Sequence, residues 1–153
     1  MRWTAEYSIG IPEIDQHHVQ LVDCIRLIDE AVSAQARWSA VNAALGRLAD
    51  FVRIHFAVEE SLMRILGYPH LERHAEEHRG FSRELMTLQE KSLRLDVSNE
   101  MVRFLGNWLK DHIKTSDRDY ATYLARSPLG AKPTPLPGAR TRSAKRPKRR
   151  AAS

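Results

Sequence analysis

Four residues between positions 55 and 78 are spaced for metal chemistry. His55 is followed by Glu59, and His74 by His78. On an α-helix, residues four apart lie on one face, one turn above the other. Each pair therefore aims two ligand-type side chains at one point. Between the pairs stands Gly67-Tyr68-Pro69, a helix stop followed by a new start. Two helices joined by so short a turn run antiparallel, so both pairs can face the same space. A metal site inside a helical bundle is the chemistry this pattern offers, and other helices must supply the remaining ligands.

The apolar periodicity supplies those helices. Residues 14–36 place Ile14, Leu21, Cys24, Ile25, Ile28 and Val32 near a 3.6-residue period. His18 lies on that stripe and points inward, whereas His17 is turned off it. A second helix is expected over 39–66, with Ser39 as its N-cap. Its stripe of Val41, Leu45, Leu48, Val52, Leu62 and Leu66 includes His55 and Glu59. A third over 71–92 carries His74, His78, Phe81, Leu85 and Leu88 on one face. A turn over 95–98, with Ser98 as cap, leads to a fourth helix over 99–124. Val102, Leu105, Leu109, His112, Ile113 and Tyr120 mark its buried side.

The expected fold is all-α: an antiparallel up-down-up-down four-helix bundle over 14–126. An extended arm, 1–13, covers it with Trp3, Tyr7, Ile9 and Ile11. Each helix then brings a metal-ligand type to its apolar face: His18, then His55 and Glu59, then His74 and His78, then His112 and Asp117. Burying even one unpaired imidazole or carboxylate costs roughly several kcal/mol, so the convergence of seven calls for a bound cation. His112 and Asp117 are the awkward pair. Five residues on an ideal helix turn through roughly 500°, leaving them roughly 140° apart. They converge only where the helix is locally overwound or bulged. His17, His70 and Glu60 are read as lying outside the ligand set, exposed or behind it, with Glu60 solvated.

These residues resemble the motifs of the hemerythrin family. The matching stretches are Ile9-Gly10-Ile11 with I-D-Q-H-H-V-Q-L (14–21), H-F-A-V-E-E-S-L-M (55–63), G-Y-P (67–69), H-A-E-E-H-R-G-F (74–81) and W-L-K-D-H-I-K-T-S-D-R-D-Y (108–120). They span the body from about residue 3 to 124. The resemblance implies a non-haem di-iron centre with a bridging hydroxide or oxo group. His74, His78 and His112 would hold one iron, His18 and His55 the other, and Glu59 and Asp117 would bridge them. The family's own pattern contains the five-residue step from His to Asp. Its first histidine stands three residues after an aspartate and three before a leucine, which matches His18 between Asp15 and Leu21.

An imidazole and carboxylate donor set without thiolate suits iron or manganese, and zinc also accepts it. With the bridges the resemblance implies, three histidines complete one iron and two leave the other an open position for dioxygen. Reversible dioxygen binding for storage, delivery or sensing is therefore the expected function, without an enzymatic acid or base. A di-iron peroxidase, oxidase or nitric-oxide-handling enzyme, or an iron buffer, is the alternative on the same scaffold. By resemblance and stripe position, Ile25, Phe56, Trp108, Leu109 and Ile113 are candidate walls of a dioxygen pocket.

Composition bounds the rest. The chain of 153 residues carries a net charge of +5, but eight of its 24 basic residues and none of its acids lie in 128–153. The remainder holds 16 basic against 19 acidic residues. The Pro/Lys/Arg-rich stretch 127–153 is expected to be disordered. It is a candidate for weak contact with nucleic acid or anionic membrane through phosphates. The single cysteine, Cys24, excludes a disulfide framework and is read as a buried inert thiol. No apolar run reaches the roughly 18–20 residues of a membrane span, and no signal-peptide pattern opens the chain. A cytoplasmic monomer is the expectation.

Overall fold

The computed structural model describes residues 2–92, 96 and 98–127. The basic stretch from 128 onward lies outside the described residues, and so do the expectations attached to it. Helix α1 spans Pro12–Ser33, α2 Trp38–Ile65, α3 Leu71–Ser92 and α4 Ser98–His112. A π-helical turn, Ile113–Asp117, follows directly and leads into α5, Arg118–Arg126. Helix α1 packs on α2 and α4, α2 on α3, and α3 on α4. The result is a four-helix bundle whose fourth member is α4 and α5 in continuation.

The helix ends differ from the sequence reading in instructive ways. Pro12 opens α1, where its fixed φ suits a first turn and its missing N–H costs nothing. Helix α2 begins at Trp38 with Arg37 in the cap position, and Ser39 makes no cap. The Trp38 ring packs against the main core, which favours starting the helix early. At the start of α4, Ser98 is already helical. The acceptor there is Asp96, which takes the Ser98 backbone N–H at 3.1 Å.

The arm is extended apart from a 3-10 turn at Ala5–Tyr7. It is fastened at two places. The Asp15 carboxylate accepts hydrogen bonds from Ser8 Oγ (2.6 Å), Ile9 N (2.7 Å) and Gly10 N (3.1 Å). Gly10 sits at φ +82°, which glycine alone adopts freely. Farther back, Lys114 Nζ donates to Glu6 at 2.8 Å and Arg118 donates to the Glu6 carbonyl at 2.6 Å. The arm is thus tied to the start of α1 and to the π-turn. Trp3, Tyr7 and Ile9 lie on the main core.

The hairpin between α2 and α3 is equally defined. Gly67 ends α2 in the left-handed region at φ +67°. Tyr68 N returns to Met63 O at 2.9 Å, closing a Schellman-type stop. From α5, the Tyr123 hydroxyl donates to Leu66 O (3.2 Å) and Gly67 O (2.9 Å).

Apolar packing falls into two unequal clusters. The larger joins residues such as Leu21, Ile25, Leu45, Leu48, Phe81, Leu85, Leu105 and Leu109. The smaller gathers Met63, Tyr68 and Tyr120 at the hairpin end. Each fully buried side chain of this size contributes about 1.5–3 kcal/mol. Cys24 is half-buried rather than buried, and burial followed by the nearby Asp23 charge pushes its thiol up in pKa. No described helix is long and apolar enough to cross a membrane.

Candidate metal centre

Seven polar side chains meet inside this apolar bundle. His18, His55, Glu59, His74, His78, His112 and Asp117 are each no more than 5 % exposed. The i, i+4 spacing places His55 over Glu59 on α2 and His74 over His78 on α3. His112 closes α4. Asp117 closes the π-turn, whose backbone bonds run five residues apart rather than four. One extra residue is absorbed there, and Asp117 returns to the face that His112 occupies. The bulge is what brings the fifth residue inward.

The donor atoms form two overlapping groups among the described residues. Glu59, His74, His78 and His112 each offer an atom within 4.8 Å of the others, and His18, Glu59 and Asp117 do likewise. Glu59 belongs to both. Asp117 also faces both: its Oδ1 lies 3.1 Å from His112 Nε2 and 3.3 Å from His74 Nε2, and its Oδ2 lies 3.1 Å from His18 Nε2. Glu59 Oε2 lies 3.2 Å from His74 Nε2 and 3.4 Å from His78 Nε2. His55 stands beside the second group, its ring centroid 5.1 Å from that of His18.

These contacts are those of ligands around a cation. His112 Nε2 has His78 Nε2 at 3.0 Å, His74 Nε2 at 3.2 Å and Asp117 Oδ1 at 3.1 Å. A single ring proton satisfies one such neighbour, so nitrogen lone pairs face one another. Both Asp117 oxygens, Glu59 Oε1 and His18 Nε2 are buried without an aligned hydrogen-bond partner. They approach other donor atoms yet point past them. Two imidazole nitrogens at right angles on a metal, each at roughly 2.1 Å, would stand roughly 3 Å apart, which is the spacing seen. The residues present fit a metal-bound cluster.

Burial lowers the pKa of His112, but the Asp117 and Glu77 carboxylates outweigh it and raise it to about 10. Burial and the like charge of Asp117 push Glu59 up, but His74 and His78 outweigh them and leave it at about 2. Burial likewise opposes the charge on Asp117, and His112 with His18 still holds it well below the usual carboxylate range. His55 is pushed down to about 4, chiefly by burial. At neutral pH both carboxylates are therefore charged and His55 is neutral, while His112 carries a proton that a bound cation would displace.

Two carboxylates behind the ligands escaped the sequence reading. Glu60 is not a solvated residue: its Oε1 lies 2.9 Å from His78 Nδ1, and its side chain is only 25 % exposed. Glu77 Oε2 lies 3.0 Å from His112 Nδ1 and also accepts the Ser116 hydroxyl. The bond to His112, opposed by burial and aided by Ser116, holds Glu77 at about 2. Both acids sit next to a ligand in the chain, and that adjacency was the available signal. His17 is half-buried, with its ring 5.6 Å from that of His55. His70 is exposed.

A small apolar cavity adjoins the ligand layer. Leu21, Ile25, Leu48, Val52, Phe56, Phe81, Trp108 and Leu109 line it, and the space open to the centre of a water-sized sphere is about 10 Å³. Leu21, Val52, Phe81 and Leu109 are each three residues from a ligand histidine, so the cavity lies one turn beyond the site. Trp108 also stacks on His112, with ring centroids 4.3 Å apart. Four of the five expected wall residues share this lining. Ile113 does not; it is fully buried in the main core nearby.

Comparison with known proteins places this architecture. Residues 9–124 match the family model "Hemerythrin HHE cation binding domain". The chain is 32% identical over 123 residues to the bacteriohemerythrin of Stenotrophomonas maltophilia (strain R551-3), covering 78% of each chain. It is 30% identical over 119 residues to the bacteriohemerythrin of Pseudomonas paraeruginosa (strain DSM 24068 / PA7), covering 77% of each. A hemerythrin-like protein of Naegleria gruberi is 29% identical over 118 residues, 77% of this chain and 88% of that one. The matched span takes in α1 to α4, most of α5 and all seven converging side chains, and the chain belongs to the hemerythrin family.

Proposed function

We propose that this chain binds dioxygen reversibly at a non-haem di-iron centre and is a binding protein rather than an enzyme. In this reading His74, His78 and His112 hold one iron, and His18 and His55 hold the other. Glu59 and Asp117 span the two. The observation that supports it is the uneven grouping of imidazoles, three with Glu59 on one side and His18 with His55 beside it on the other, next to a small apolar cavity. A pair of irons supplies the electrons and the open coordination position that reversible dioxygen binding takes.

The protein's own part is positioning and exclusion. Five imidazoles and two carboxylates form a ligand set richer in neutral donors than the carboxylate-dominated sets of di-iron oxidases in related bundles. Helices α1–α4 and the π-turn hold these side chains with no more than slight exposure. The cavity lining is entirely apolar and offers no acid or base to drive bound dioxygen onward. Leu21, Ile25, Val52 and Leu109 keep bulk water from the side of the site they face, which favours return of the ligand unchanged.

Metal analysis with optical spectra tests the reading. Two irons per chain are expected, with a visible band that appears in air and bleaches when oxygen is removed. Zinc in place of iron, or one metal per chain, would overturn it. Rapid irreversible oxidation with turnover of a reductant would favour the enzymatic alternative.

A further inference from the structure

The two halves of the site differ in what stands behind their imidazoles. In the first half, His78 Nδ1 is 2.9 Å from Glu60 Oε1 and His112 Nδ1 is 3.0 Å from Glu77 Oε2. The Ser116 hydroxyl, donating to the same Glu77 oxygen, steadies that carboxylate. A ring that donates its Nδ1–H to a carboxylate has its tautomer settled, with the Nε2 lone pair directed inward. The same contact makes the ring a better donor and sets negative charge just behind it. In the second half, His18 Nδ1 and His55 Nδ1 are buried and have no hydrogen-bond partner among the described residues. Among the described residues no Nδ1 partner fixes the tautomer of either ring from behind.

The first half is also the more nearly assembled. Four donor atoms, from Glu59, His74, His78 and His112, already converge within 4.8 Å, whereas His55 stands outside the group formed by His18, Glu59 and Asp117. Filling the second position therefore takes an adjustment of His55 and a choice of proton position at two rings. Filling the first takes no comparable movement of a side chain, because its four donor atoms already converge.

We propose that the two metal positions fill in a fixed order. The position held by His74, His78, His112 and Glu59 is occupied first. The position held by His18 and His55 is occupied second, through a populated one-metal form. Glu60 and Glu77 are the positioning residues that set this order. The inference rests on the two-metal reading above but not on dioxygen chemistry. Partners of this kind behind a metal-bound histidine are worth on the order of 10-fold to 100-fold in metal affinity, so two of them separate the steps clearly.

The test is a titration of the metal-free full chain with cobalt(II) under anaerobic conditions. It is followed by calorimetry and by the visible absorption of bound cobalt. Two steps are expected, separated by on the order of 10-fold or more. Glu60→Gln with Glu77→Gln should weaken the tight step alone, by on the order of 10-fold to 100-fold, and leave the weak step in place. A general loss of structure would weaken both. His18→Ala should remove the weak step and keep the tight one, and His74→Ala should remove the tight one. These two single variants decide the matter should the double variant fail to fold. A single unresolved step for two metals, or loss of the tight step in His18→Ala, overturns the order. A protein that loads in one step yet binds dioxygen reversibly refutes only the order. One that loads in order yet never binds dioxygen refutes only the oxygen reading.

Discussion

The Phe56 ring lies flat on the His78 imidazole, with centroids 3.7 Å apart and planes 6° from parallel. The same ring lines the inner cavity on one side and a surface groove of about 410 Å³ between α2 and α3 on the other. It both backs a proposed ligand and stands between solvent and the apolar cavity. Phe56→Ala should cost about 3–5 kcal/mol in stability and connect groove to cavity. In the iron-loaded protein the oxygenated band should then decay to the oxidised form faster than in wild type. Phe56→Leu, which keeps most of the apolar volume, should stay close to wild type in both respects. Unfolding in urea and the decay of the visible band in air measure the two effects.

Stability of the metal-free protein should depend on pH from both sides. The His55 pKa falls from 6.5 to about 4 on folding. The unfolded chain therefore binds more protons between those values, and stability drops as pH falls through that window. One such shift corresponds to on the order of 3 kcal/mol. His112 has the opposite sign. Its pKa rises to about 10, so its contribution is complete below 6.5 and is lost as pH climbs toward 10. Urea unfolding between pH 4 and 10 should trace a dome, and His55→Leu should flatten its acid side. An unchanged acid slope in that variant would contradict the assignment.

Asp117 is the carboxylate whose two oxygens face different halves of the site. Asp117→Asn keeps the shape and removes the charge. Metal content should fall from the proposed two per chain to one or none, while the helical circular dichroism persists. Elemental analysis after dialysis provides the measurement.

Tyr123→Phe deletes the hydroxyl that bonds the carbonyls of Leu66 and Gly67. Those carbonyls lie at the edge of the hairpin, where water can replace the lost donor. The expected cost is about 0.5–1.5 kcal/mol, seen as a lower thermal midpoint, with metal stoichiometry unaltered. A loss of metal in this variant would mean that the hairpin clamp, and not α2 and α3 alone, sets the spacing of the two ligand pairs.

Much of the site is legible in the sequence because helical geometry converts spacing into direction. Residues four apart share a face, so His55 with Glu59 and His74 with His78 announce themselves. His18 is separated from His17 by the apolar stripe it shares with Leu21 and Ile25. What is not legible has physical reasons. Glu60 and Glu77 stand off the seam on a helical wheel, but the outward Nδ1 of a buried histidine reaches toward the seam's shoulder, where a long glutamate side chain meets it. That contact joins different helices, Glu60 to His78 and Glu77 to His112, and no local pattern encodes it. The early start of α2 reflects packing of Trp38, which outweighed the capping preference of Ser39. Ile113, expected at the pocket wall by resemblance and stripe position, opens the π-turn and is buried in the same core as the other expected wall residues without lining the small cavity.

That turn also has a consequence for anyone who would transplant or redraw the domain. A bundle written in unbroken heptads has no place for it, because the chain advances one residue there without advancing in phase. Straightening the turn into regular α-helix at the same length would rotate everything downstream by roughly 100°. Asp117 would leave the site, Tyr120 would leave the small core, and Tyr123 would release the hairpin together. Three separate jobs along one helix are thus held in register by a single π-helical turn that absorbs one supernumerary residue.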